Sequence, residues 1–91
     1  METTLTKPTL TPEEKAAKRA ELIDGLAEDL KEMIQKIEAR PMTTQNHYGD
    51  YGSLISGLSK GNKVVAQIIG EACIKAGANA TGVANAIKLF V

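Results

Sequence analysis

Thr11-Pro12-Glu13-Glu14 opens a helix and Pro41 closes it, and the text between them keeps helical spacing throughout. Thr11 supplies an N-cap hydroxyl, Pro12 takes the first helical position, and Glu14 stands three residues after the cap. Glu13 and Glu14 also face the positive end of the helix dipole. Pro41 disfavours helical geometry in the residue before it, so the helix should run to about Arg40. Along it, Ile23, Leu26, Leu30, Met33 and Ile37 recur at spacings of three and four, with Ala20, Ala27 and Ile34 flanking them. Such a face is wide enough for a bundle and regular enough for a helix pair within or between subunits. Gly25 falls on the polar side.

One amphipathic helix of this length fixes what the remaining residues must do, which is to cover its apolar face. They read as three shorter helices. Asp50 is a candidate cap, followed by Tyr51, Leu54, Ile55 and Leu58 on one face, with Gly61 as the stop. Asn62 caps the next helix, carried by Val65, Ile68, Ile69, Ala72 and Ala76 and ended by Gly77. Asn79 or Thr81 opens a last helix with Val83, Ile87 and Phe90 inward. KVVAQII could be a strand, but no second strand exists to pair with it. The expected fold is all-α: a small helical bundle with one long N-terminal amphipathic helix and three shorter ones. Residues 1–10, rich in Thr, read as a tail preceding a single domain at 11–91.

The chain has 91 residues, close to the size at which a single core becomes marginal. Its only aromatic residues are Phe90, Tyr48 and Tyr51. A core of Leu, Ile, Val and Ala gains little beyond its ordering cost at this length, so a homo-oligomer is expected. The apolar ending Leu89-Phe90-Val91 suits docking against a neighbour. Residues 1–40 hold seven basic and nine acidic residues, and residues 41–91 hold four and two, so the formal charge of zero divides into −2 and +2. Neither value supports generic nucleic-acid affinity. No secretory signal or bilayer-spanning apolar run is evident, which makes a cytoplasmic setting the expectation and a membrane partner not expected. Cys73 is the single cysteine, so no intrachain disulfide can form.

Between the first and third helices lies TTQNHYGDYGSLISGLSKGNK, residues 43–63. Thr43, Thr44, Gln45, Asn46 and His47 are five consecutive hydrogen-bonding side chains, more polar chemistry than a helix connection requires. Tyr48 and Tyr51 offer flat faces for stacking, and Gly49 and Gly52 would let a ligand approach the backbone. At the far end, Ser59-Lys60-Gly61-Asn62-Lys63 is a turn leading into a helix start, where free amides and lysines attract anions. It lacks the spacing of a phosphate loop. The reading is a pocket for a small phosphate-bearing, nucleotide-like ligand. The tyrosines would stack the base, Lys60 and Lys63 would face the phosphate, and Thr43, Thr44, Gln45 and Asn46 would read ring or ribose edges, with His47 and Asn62 as further candidate ligand-binding residues. A pocket shared between subunits suits a chain with so little interior. The opposing reading is plainer: Thr and Asn cap helices, Tyr51 fills the core and the lysines are solvated.

An enzyme is not expected. His47 with Asp50 is the only visible acid–base pairing, no cluster has metal-ligand spacing, and no cofactor is called for. Cys73 reads as a small buried apolar group. The expected function is noncatalytic: a homo-oligomer that holds, and thereby sequesters, a small anionic nucleotide-like ligand. The first alternative is a protein–protein interaction module or inhibitor acting through helix surfaces. The second treats IIGEACIKAGANATGVANAIKL as a helix-turn-helix reading DNA with Thr81, Asn85 and Lys88, against which the absence of arginine from that segment and the shortage of basic charge both argue.

Overall fold

The structure, a computed structural model, describes residues 11–91; the tail expected at residues 1–10 lies outside them. Four helices follow in order: α1 Pro12–Ala39, α2 Tyr48–Ser59, α3 Lys63–Lys75 and α4 Ala80–Phe90. A single 3-10 turn, Gln45–His47, precedes α2, and no strand occurs among the described residues.

The helix ends follow from the local chemistry. At the start of α1, Thr11 Oγ1 accepts from the Glu14 amide at 3.1 Å, and Glu14 Oε1 accepts from the Thr11 amide at 3.1 Å, a complete capping box. Asn62 accepts from the Val65 amide at the start of α3, and Asn79 accepts from the Gly82 amide at the start of α4, each at 3.0 Å. Lys60 and Gly61 both adopt positive φ (52° and 81°) and end α2. The expected start of α2 shifts: it begins at Tyr48, so Asp50 sits inside the first turn, where an acid still favours the positive dipole end.

Two dense contacts organise the bundle, α1 against α3 and α2 against α4. The buried face of α1 is Ala27, Leu30, Ile34 and Ile37, one step round from the expected stripe. Met33, expected inward, is 46% exposed, while Ala27 and Ile34, expected as flankers, are central. Across from that face, Ala72 of α3 is fully buried, and Ala76, the residue that caps α3, is half-buried against the core. Arg19 pairs with Glu71 and Lys75 with Asp24 across the same seam. Residues 12–22 of α1 are exposed, and its first two turns, before Arg19, extend beyond the bundle, giving extents of 59 × 22 × 17 Å.

Glycines admit the closest contacts. A Cβ on Gly70 of α3 would lie 2.6 Å from Ile87 of α4, and one on Gly52 of α2 would lie 2.2 Å from the Phe90 ring. Phe90 therefore packs inside its own chain, against Gly52 and 6.5 Å from the Tyr48 ring, while remaining 45% exposed.

Tyr51 is fully buried and donates through Oη to the Glu38 carboxylate near the end of α1. The same carboxylate oxygen accepts from the Asn79 amide at 3.3 Å, at the N-cap of α4. One acid thus joins three helices. Burial first, and the Glu38 carboxylate second, hold the Tyr51 phenol above its ordinary pKa. Tyr51→Phe should cost about 1–2 kcal/mol through the lost charge-assisted hydrogen bond, and Tyr51→Ala about 3–5 kcal/mol through the added cavity, read by urea unfolding.

Cys73 is buried, and its thiol is pushed up to about 11 by desolvation. The folded state therefore holds that proton more tightly than the unfolded chain, whose thiol titrates at about 8.5. This contribution is complete below about pH 8.5 and is lost as pH rises toward 11; Tyr51 acts in the same direction. Urea-unfolding stability should fall across that window, and Cys73→Ala should flatten the slope.

Candidate functional site

The 43–63 segment divides into two parts at opposite ends of α2. Twelve residues at about 1.5 Å each put about 18 Å of helix between the Tyr48 end and the Lys60 end. The stacking and anion-attracting groups expected to share one pocket are therefore kept apart within a single chain.

At the first end the chain reverses through a corner of unusual backbone. Asn46 and His47 both take left-handed φ, 52° and 60°, a conformation tolerated best by Gly and Asn. Two neighbours hold the corner. Thr44 Oγ1 accepts from the Gly49 amide at 2.9 Å, and Gly82 of α4 comes so close that a Cβ there would lie 2.0 Å from the Asn46 carbonyl oxygen. Thr43 and Gln45 are exposed, Thr44 and Asn46 half-buried.

His47 is 1% exposed, and its Nδ1 makes no hydrogen bond among the described residues. That nitrogen lies 3.5 Å from Asp50 Oδ2, and Asp50 Oδ1 lies 3.4 Å from Arg40 Nη1. The ring meets Tyr51 edge-on at 6.4 Å between centroids. Arginine, carboxylate and imidazole thus form a row, ending in a buried nitrogen that faces Asp50 without a hydrogen bond. Left-handed backbone at two successive residues other than glycine is costly, so the corner stores free energy in its backbone.

Several expected roles are reassigned by packing. Tyr51 is a core residue whose faces are covered, so it stacks nothing from outside in this conformation. The space beside Gly49 belongs to Thr44, and that beside Gly52 to Phe90; neither admits a ligand to the backbone. Tyr48 is half-buried beside Phe90, and this aromatic pair is the part of the stacking surface that stays open. Phe90 is not among the expected site residues, since it lies 42 positions after Tyr48 in the sequence. At the other end of α2, Lys60, Asn62 and Lys63 are all exposed. Asn62 spends its side-chain oxygen on the α3 cap.

Two surface cavities, of about 340 and 380 Å³, lie on the α1–α3 seam. The first is lined by Asp24, Ala27, Glu28, Lys31, Lys75 and Ala76, the second by Ala20, Ile23, Glu71, Ile74 and Lys75, so neither touches residues 43–63. No three His, Cys, Asp or Glu side chains cluster for a metal among the described residues, and no helix there is long and apolar enough to cross a membrane. Gly82→Ala should force the corner away from α4 and cost about 1–3 kcal/mol in urea unfolding, a typical overpacking loss. No family of known proteins matches the chain, and neither does any curated protein or solved structure.

Proposed function

We propose that this chain is a noncatalytic, homo-oligomeric binding protein that holds a small anionic, nucleotide-like ligand where two copies meet. The observation that carries the reading is the corner at Asn46 and His47. Two successive left-handed residues and a buried imidazole nitrogen that meets only Asp50, at 3.5 Å and without a hydrogen bond, are more strain than a helix connection needs. Beside it, the Tyr48–Phe90 pair offers an aromatic surface for a base, and exposed Thr43 and Gln45 offer polar edges. The cations for a phosphate stand about 18 Å away at the other end of α2, so Lys60 and Lys63 would come from the neighbouring copy. Binding of this kind needs no reaction; it withdraws the ligand by stoichiometry.

A second reading, a protein-interaction module acting through helix surfaces, is favoured by a different observation. Leu22, Leu26 and Met33 fall within about 40° of one another around α1, and Leu22 is 50% exposed. This apolar edge, with the uncovered first turns of α1, suits a protein partner.

Calorimetry with a panel of mononucleotides and cyclic nucleotides separates the two. The ligand reading expects heat without turnover, and at least tenfold weaker binding in both Tyr48→Ala and Lys63→Ala with unchanged helicity. Absence of heat from every nucleotide, with self-association or a protein partner lost in Leu22→Glu, would replace it by the second reading.

A further inference from the structure

One exposed line of α1 carries charges that its own fold leaves unused. Lys15, Leu22 and Asp29 stand seven residues apart, two turns of helix, and so follow one another along a single line. Lys18, Leu26 and Met33 lie within about 40° of Leu22 on the same side. Leu22 is 50% exposed and Met33 46%, while Leu26 is half-buried against the core of its own bundle. Lys15, Lys18 and Asp29 are exposed and enter no ion pair among the described residues, whereas Arg19 is held by Glu71, Lys36 by Glu32 and Arg40 by Asp50. Two cations thus stand at one end of the line and an acid at the other, with an exposed leucine midway.

We infer that two copies of this chain pair antiparallel through this face of α1, about a two-fold axis level with Leu22 and Ile23. A two-fold axis sets each position of one helix opposite the position equally far beyond the axis on the other. Asp29 of each copy then lies between the partner's Lys15 and Lys18. Leu22 meets the partner's Leu22 at the axis, and Met33 lies beside the partner's Lys15, whose methylene stem covers it. The parallel sense would instead set Asp29 against Asp29 and each lysine against itself. Exposed ion pairs add little strength, but these fix the sense and register of the pair.

A second observation points to the same occupant. The first two turns of α1 extend beyond the bundle, where a helix has no tertiary packing to hold it. In the antiparallel register, residues 12–18 run beside residues 28–34 of the other copy, which include its buried Leu30 and Ile34 and so stand within its bundle. The projecting turns of both copies are covered at once. A different protein would have to present an acid opposite Lys15 and Lys18 and a base opposite Asp29 at this same spacing; a second copy already does. The pairing rests on the second reading above, whose apolar edge it fills, and uses none of the residues 43–63 on which the ligand reading depends.

Sedimentation of the full chain at low salt, with no nucleotide present, tests the pairing by charge reversal. The wild type should sediment at twice the single-chain mass or a multiple of it. Asp29→Lys alone, and Lys15→Glu combined with Lys18→Glu, should each weaken self-association about tenfold or more, with helicity and melting transition retained because all three positions are exposed. Placing all three reversals in one chain should restore the wild-type mass, since the antiparallel pair then has the same contacts with signs exchanged. A single-chain mass for the wild type, an unchanged mass in both sets of reversals, or no recovery in the triply reversed chain would overturn the pairing. The second reading fails differently. A single-chain wild type that loses a protein partner in Leu22→Glu overturns the pairing and keeps that reading, whereas a pair whose mass is unchanged in Leu22→Glu overturns both.

Discussion

The carboxylate of Glu38 is where the helices of this protein are tied together. It accepts from the buried Tyr51 hydroxyl of α2 and from the amide of Asn79 at the head of α4, while itself standing on the last turns of α1. α1 and α2 have few direct contacts, because α1 lies mainly on α3 and α2 on α4. The Tyr51–Glu38–Asn79 junction therefore spans the gap between two helix pairs that would otherwise meet mainly through α3. A buried phenol without that acceptor would leave a desolvated hydroxyl, and an acid without the phenol would lose its principal donor. The junction also sets the α1–α2 turn, since Arg40 and Asp50 lie on either side of it and reach each other.

That arrangement explains why strain accumulates at Asn46 and His47. With α1 fixed at Glu38 and α2 fixed at Tyr51, only the residues between Arg40 and Tyr48 can absorb the reversal. Left-handed backbone makes the corner tight enough for Asn46 to meet Gly82, and the turn carries His47 inside, away from water. A looser connection with glycines could join the same helices without either cost. The corner is thus the place where the chain departs furthest from what folding alone favours, and this is the physical reason for placing function there.

Much of the architecture was legible in the sequence because it is decided locally. Thr11, Pro12 and Glu14 announce the first helix, Pro41 ends it, and Asn62 and Asn79 cap the helices they precede, since each interaction is made within a turn of chain. Which side of α1 faces inward was not decided locally: packing against the rest of the bundle buries Ala27 and Ile34 and leaves Met33 outside. Within the candidate site, spacing identified Tyr51 as helical but could not distinguish a ligand-facing ring from a core ring, because its acceptor is thirteen residues back, on another helix. The glycines at 49 and 52 were legible as open space. Their occupants, Thr44 and Phe90, were not, because Phe90 stands at the end of α4, two helices further along the chain from Gly52. A helix read from an Asp50 cap to the Gly61 stop already implied that the tyrosine and lysine ends stand apart; that consequence emerges only when the segment is treated as a rod.

Native-state hydrogen exchange on Glu38→Ala tests the role of this junction most directly. If Glu38 ties α1 to both α2 and α4, amides in Ile34–Ile37 and in Val83–Ala86 should lose protection together and by similar factors, though they lie on different helices. Loss confined to the final turn of α1, with the α4 amides as protected as in the wild type, would contradict the account and leave α3 as the element that holds the bundle together.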